Sequence, residues 1–318
     1  MRLGIDIGGT KTWFALGDAE GRVLAEARIA TAPSGDALAD FARIAEGARG
    51  LLRQRGMEPR GLEIVGVSTP GGVDPRGGFV RNPPNLPGWD GAPLRDMLAE
   101  ALGARVALEN DANAAAVAEW RFGAARGFRH AVYLTMSTGL GGGLILDGRL
   151  YRGDANLAGE VGHVPVVWQG EPCACGLRGC AEAYIGGAAW TKRLARATPA
   201  SSAVAKLAAK EGASPRPEHV VVAARAGDAF ALGEMERFNE VLAQLICGLA
   251  AVLAPEVFVL GTIAAAAGEA LCFAPLRQRV RANTWPRPEP IAIVPAALGE
   301  RLGVYAGLGV AAEALRRD

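Results

Sequence analysis

The sequence predicts an α/β fold in which one domain plan occurs twice, with a cleft expected between the copies. Three observations carry this. A glycine-bearing strand–turn–strand opening recurs about 130 residues into the chain, as an internal duplication would require. Strand-like and helix-like patterns alternate after each opening. A length of 318 residues exceeds what one simple core organises, so two domains of roughly 100–200 residues are expected.

The first opening reads as three short strands, Leu3 to Ile7, Thr12 to Leu16 and Val23 to Ile29, joined by turns at Gly8-Gly9 and at Asp18-Ala19-Glu20-Gly21. A helix from about Asp36 to Gln54, a strand Glu63 to Ser68, a helix near Leu94 to Leu102, a strand Val106 to Glu109 and a helix Ala112 to Phe122 follow. The second opening is the strand Ala131 to Met136, a glycine loop Ser137 to Gly143 and a returning strand Leu144 to Leu146. Residues 170–187 are rich in Gly and Cys without periodicity, which predicts a loop with its own internal staple. Helices then dominate to about Leu253, followed by a strand Val257 to Leu260, a helix around Ala270 to Arg281, a strand Ile291 to Val294 and a final helix near Val304 to Leu315. The expected domains are residues 1–113, joined by the last helix at about 300–318, and residues 114–299, which contain the cysteine loop.

Charge narrows the function classes. A net charge of +1, from 34 basic and 33 acidic residues, gives no electrostatic footprint for nucleic acid or an anionic membrane. Small-molecule ligands are expected instead. The chain enters a strand pattern at residue 3, leaving no room for a signal peptide, so a cytoplasmic location is expected. The apolar tract from Val241 to Ala267 is interrupted by Pro255 and Glu256 and reads as a buried helix and strand rather than a membrane span. In a reducing compartment five cysteines do not imply a disulfide framework.

Four groups of residues carry chemistry. Gly8-Gly9-Thr10-Lys11 joins two strands; its glycines let backbone approach phosphate oxygens, Thr10 adds a hydroxyl, Lys11 a charge, and Asp6 stands where a metal-bound water would lie. A plain hairpin turn is the alternative for this loop alone. The second loop, with Thr138, Gly139 and Gly141, favours one phosphate loop per domain and hence one nucleotide. Asn110-Asp111-Ala112-Asn113 lies where a strand gives way to a helix, a place at which α/β sheets put ligand-binding groups. Helix capping suits Asp111 equally well there. His163, Cys173, Cys175 and Cys180 make a Cys₃His set for a tetrahedral, structural Zn²⁺, which would fix Glu160 and Glu182 beside it.

On Cys173-x-Cys175-Gly176-x-x-Gly179-Cys180-x-Glu182 with His163 upstream, and on Glu109-Asn110-Asp111-Ala112-Asn113, the chain resembles the bacterial sugar kinases of the ROK family (repressor, open reading frame, kinase). Concordant stretches are Asp6 to Lys11, Thr69 to Asp74, Asn85 to Trp89 and Ser137 to Gly142, so the resemblance spans essentially the whole chain. It implies an actin-like ATPase (ribonuclease H-like) fold, a hexose substrate, and ATP, Mg²⁺ and Zn²⁺ as cofactors. It also implies Asp111 as the catalytic base, and Asn110, Glu160, His163, Glu182 and backbone near Gly71 as sugar contacts. The adenosine-side loop would hold Gly261, although here it reads Leu260-Gly261-Thr262-Ile263 where the family usually carries further glycine.

Glucose is the first expectation among the sugars because Asn85 to Trp89 and Glu182-Ala183-Tyr184 look like family glucokinases; fructose, mannose and N-acetylhexosamines are the alternatives. A homodimer or homotetramer is implied in the same way. Two other classes are weighed against this reading. Sugar-responsive repressors of the family carry an extra N-terminal DNA-binding region, for which a strand starting at residue 3 leaves no space. A Rossmann oxidoreductase would need G-x-G-x-x-G opening a helix after the first strand, and that motif is missing there.

Overall fold

A computed structural model describes residues 1–74 and 76–316. Two compact units are formed: residues 1–127 with 150–158 and the chain from 298 onward, and residues 128–149 with 159–297. The expected boundary at 113 therefore moves to 127. The helix that follows Asn110 packs on the C-terminal helix and so stays with the first sheet, and a short return segment, 150–158, joins it there.

The first unit contains β1 (Arg2–Ile7), β2 (Lys11–Gly17), β3 (Val23–Ala30), α1 (Ala37–Gln54), β4 (Ile64–Thr69), a small hairpin of β5 (Gly72–Asp74) and β6 (Phe79–Arg81), α2 (Leu94–Leu102), β7 (Val106–Asn110) and α3 (Asp111–Phe122). Chain order continues in the second unit with β8 (Ala131–Met136) and β9 (Leu140–Leu146); β10 (Arg149–Tyr151) pairs with β9, its last two residues opening the segment counted with the first unit, and the second unit resumes with α4 (Glu182–Ile185), α5 (Gly187–Ala197), α6 (Ala203–Lys210), α7 (Pro217–Arg225) and α8 (Ala229–Leu253). β11 (Val257–Leu260), α9 (Thr262–Gly268), α10 (Ala274–Asn283) and β12 (Ala292–Pro295) follow, and α11 (Leu302–Leu315) belongs to the first unit.

The duplication is explicit in topology. The two large sheets run β3-β2-β1-β4-β7 and β10-β9-β8-β11-β12, each an antiparallel meander extended by two parallel strands. Two expectations shift. The glycine loop is shorter than residues 137–143, because Leu140 to Gly143 already pair with β8. The helix expected from Ala270 begins with a π-helical turn, Glu269–Phe273, and is regular only from Ala274. The apolar tract around Pro255 divides into the end of α8 and β11, and among the described residues no helix is long and apolar enough to cross a membrane.

Alternation along the strands gives the first sheet two different faces. Leu3, Ile5, Ile7, Val65, Val67, Val106 and Leu108 bury into a core with α1 and α2, as periodicity predicts. On the other face, Gly4 and Gly66 are register neighbours, and α11 lies on them with its backbone nearly touching the strands. A Cβ at Gly66 would overlap the Gly307 carbonyl oxygen and the Ala311 nitrogen, and one at Gly307 would sit 2.7 Å from Gly4 Cα. Only hydrogen fits. Gly66→Ala is expected to destabilise the protein by about 2–3 kcal/mol in urea unfolding, since backbone must move to admit one methyl. Gly248→Ala, on an exposed face of α8 with nothing within 4 Å, should instead stabilise by about 0.5–1 kcal/mol.

Candidate active site

Site residues of the first unit collect at the carboxyl ends of its three parallel strands, where helices and turns leave backbone and side chains available. Asp6 lies in the last pleat of β1 with Gly8 just past its end, Gly71 follows β4 by two residues, and Asn110 closes β7 with Asp111 next to it. The register aligns Asp6 with Ser68 and Ser68 with Glu109, a polar row one pleat beyond the glycines under α11. Burial pushes the Asp6 carboxyl up to about 6; a hydrogen bond with Ser68 acts against this, and the negative charge of Asp111 adds to it.

The choice between cap and cleft residue at the start of α3 falls to two neighbouring side chains. Asn110 is the N-cap, its Oδ1 accepting from Asn113 N at 2.8 Å, while Asp111 is exposed at the first helical position. Gly71 has φ of +88°, and a Cβ there would lie 2.6 Å from Pro83 Cα, so backbone alone can occupy the position. In the first glycine turn Gly8 N donates to Lys11 O at 2.9 Å and Thr31 Oγ1 donates to Gly8 O at 2.7 Å, with Thr10 and Lys11 exposed. Trp89, from the stretch Asn85 to Trp89, is a core residue: fully buried, its Nε1 donates to Asp40 Oδ2 at 3.0 Å.

Sequence reasoning missed the device that fixes this corner. Glu109 is 1% exposed and its carboxylate is saturated. Arg152 Nε donates to Oε2 at 2.6 Å, while Asn110 N, Asn113 Nδ2 and Asn156 Nδ2 donate to Oε1 at 3.1, 3.1 and 3.3 Å. Asn156 also donates to Val73 O at 3.2 Å, tying the Gly71 turn to the end of β7. A glutamate in an apolar strand was the available clue to a buried partner; Arg152 and Asn156, more than forty residues on, left none.

In the second unit the glycine loop follows β8. Leu140 N donates to Glu182 Oε2 at 2.8 Å, and Gly187 N and Ala188 N donate to Ser137 O and Thr138 O at 2.9 and 2.8 Å. Thr262 Oγ1 donates to Met136 O at 2.5 Å from the end of β11. Thr262 has φ of +47°, a conformation costly for a β-branched side chain, and it stands where further glycine is usual in the family the chain resembles. Gly261 is buried against Tyr133, whose hydroxyl lies 2.7 Å from where a Cβ would be.

Glu160 is exposed at the start of a short turn that carries His163, and Gly162 in that turn packs on Leu140 O. His163, Cys173, Cys175 and Cys180 converge, with all ligand atoms within 4.8 Å of one another. Cys175 Sγ and Cys180 Sγ are 3.8 Å apart, and His163 Nδ1 is 3.7 Å from Cys173 Sγ. Tetrahedral Zn²⁺ with Zn–S bonds of about 2.3 Å requires sulfur atoms about 3.8 Å apart, so the donor set fits that ion. In the thiol form burial pushes Cys180 up to about 12 and raises Cys173, whereas the Leu177 amide helps hold Cys175 below its ordinary value. Metal uptake displaces those protons and weakens as pH falls.

Comparison with known proteins follows the same lines. The ROK family model matches residues 2–312. The chain is 38% identical over 280 residues to the glucokinase of Thermotoga maritima, covering 87% of this chain and 86% of that one. The crystal structure of the ROK hexokinase from Thermus thermophilus matches with a TM-score of 0.83 at 33% identity over 99% of both chains. That of a ROK family glucokinase from Streptomyces griseus, in complex with glucose and AMPPNP, matches at 0.77 and 34% over 100% of this chain and 99% of the other.

Two outcomes follow from the first-unit geometry. Because the folded-state pKa of Asp6 is raised, ionising it opposes folding above pH about 6 and has no effect well below its ordinary value of 3.8. In urea unfolding Asp6→Asn should therefore be more stable than wild type at pH 8, by an amount on the order of 2–3 kcal/mol, and differ little from it near pH 3.5. Arg152→Ala strands a buried carboxylate and should cost about 3–5 kcal/mol in urea unfolding, part of which the double variant with Glu109→Gln should recover.

Proposed function

The chain belongs to the ROK family, and on that footing we propose that it is an ATP-dependent sugar kinase with the actin-like ATPase fold, phosphorylating a hexose and glucose in particular. The observation that carries the reading is the division of labour at the start of α3, where Asn110 caps the helix and leaves Asp111 exposed at the carboxyl end of a parallel strand. The glucokinase names of similar proteins and the glucose and AMPPNP bound to one of them support the choice of substrates.

In this reading Asp111 accepts the proton of the attacking sugar hydroxyl. As that oxygen bonds to the γ-phosphorus of ATP, the bond to the β–γ bridging oxygen breaks, ADP departs and Asp111 returns its proton to solvent. Asn110, Glu160, His163, Glu182 and the backbone at Gly71 bind and orient sugar hydroxyls. Gly8, Gly9, Thr10 and Lys11 in the first unit, and Thr138, Gly139, Gly141 and Gly261 in the second, serve the nucleotide. Asp6 lies where a nucleotide-bound Mg²⁺, which neutralises charge on the phosphates, would relieve a carboxylate that burial has destabilised.

His163, Cys173, Cys175 and Cys180 would hold a Zn²⁺ with all four positions filled by protein, so that it would supply order rather than chemistry. Nδ1 of His163 faces the thiols, so a metal on that nitrogen fixes the proton on Nε2 and makes it a donor to a sugar hydroxyl.

With Mg²⁺ and ATP, ADP release should rise above the sugar-free background for glucose in a panel that includes fructose, mannose and N-acetylhexosamines. Asp111→Asn keeps a capping-competent side chain but no base, and should lower kcat by roughly 10²–10⁴ with the fold intact. No sugar-dependent ADP release from any member of the panel would sink the kinase reading, and near-normal turnover by folded Asp111→Asn would sink the assignment of the base.

A further inference from the structure

The cysteine loop does not end at the metal cluster. Two residues beyond Cys180 the chain reaches Glu182, and five more bring it to Gly187, the start of α5. These residues form a bracket on the glycine loop. Glu182 Oε2 takes the amide of Leu140 at 2.8 Å, and its carboxylate fills the space beside Gly139, where a Cβ would overlap it. The Gly187 and Ala188 amides, at the amino end of α5, hold the carbonyls of Ser137 and Thr138. Three of the four residues from 137 to 140 are thus hydrogen-bonded to residues 182–188 through a backbone group, two as acceptors and Leu140 as donor.

The bracket is in turn tied to the cluster. The other oxygen of Glu182, Oε1, lies 3.9 Å from Cys173 Sγ. Cys180 and Ala181 are fully buried, and Ala181 N donates to Val164 O at 3.1 Å beside His163, which leaves residues 180–182 little freedom of their own. Gly186 is pressed on α4, where a Cβ would meet Glu182 O at 2.7 Å and Cγ at 2.8 Å. Displacement at Cys180 passes to Glu182 and from there to the loop.

We infer that Glu182 is a positioning residue for the Ser137–Leu140 loop, and that metal at the Cys₃His cluster sets that loop and thereby the affinity for nucleotide, in addition to any sugar contact Glu182 makes. The inference deepens the kinase reading and rests on it only for what the loop binds. It makes the cluster a determinant of both substrates, where a sugar-only role would leave nucleotide affinity indifferent to metal.

The test uses the full chain without sugar. Binding of Mg·AMPPNP is measured by calorimetry, and amide hydrogen exchange is followed over residues 137–140, for zinc-loaded wild type, wild type after chelation, Glu182→Ala and Glu182→Gln. All four metal ligands remain in both variants, and their zinc content is checked. Losing a charge-assisted bond to the loop should weaken Mg·AMPPNP about tenfold or more in Glu182→Ala and speed loop exchange. Glu182→Gln keeps an acceptor for the Leu140 amide and should bind within about threefold of wild type.

Chelated protein that stays folded should resemble Glu182→Ala. Folded, zinc-replete Glu182→Ala with wild-type nucleotide affinity and wild-type loop exchange overturns the inference, whatever chelation does to the fold. Should wild type bind no nucleotide while the loop still loosens in Glu182→Ala and on chelation, the bracket stands and the kinase reading falls.

Discussion

Backbone contact between α11 and the first sheet is the constraint from which the first unit follows. Gly4, Gly66 and Gly307 remove the Cβ atoms at the closest approach, and the last helix of the chain settles on its first strand. One turn earlier in α11, Gly303 approaches Asp6, where a Cβ would be 3.0 Å from Oδ2. The helix therefore seals one side of the polar row that runs from Asp6 through Ser68 to Glu109. Water is excluded from one side of that row, which is the physical origin of the raised Asp6 and of the need to saturate Glu109 completely.

The second unit repeats the strand order and solves a different problem with it. Its glycine loop has little side-chain mass to hold it, so its position is set from outside: by Thr262 on the β11 side and by Glu182 and the amino end of α5 on the other. Both supports carry a cost. Thr262 holds a left-handed backbone, and Glu182 depends on a cysteine loop with almost no regular structure of its own. A tetrahedral metal site is an economical way to stiffen such a segment, since four ligands within a span of eighteen residues replace a hydrophobic core.

Much of this was legible in the sequence because it is local. Strand and helix limits followed from periods of 2 and 3.6, with the 94–102 helix and the strands 131–136 and 257–260 placed to the residue. The Cys₃His set was readable because spacing and residue type together define it, and the structure brings all four side chains together. Asp111 was not separable from an N-cap by sequence, since the two roles differ only in which neighbouring side chain turns back to the helix. Arg152, Asn156 and the link from Glu182 to Leu140 were out of reach for another reason: each depends on a fold-back of roughly forty residues or more, which no pattern along the chain encodes. The return of segment 150–158 to the first unit is of the same kind.

The central claim is that a sugar hydroxyl, rather than water, takes the γ-phosphoryl group of ATP. ³¹P NMR of a reaction with Mg²⁺, ATP and ¹³C-labelled glucose reads the fate of that group directly. The account predicts a phosphate-monoester resonance coupled to the carbon that bears the 6-hydroxyl, growing in step with ADP and without inorganic phosphate. Inorganic phosphate accumulating with ADP while the glucose resonances stay unchanged would contradict it.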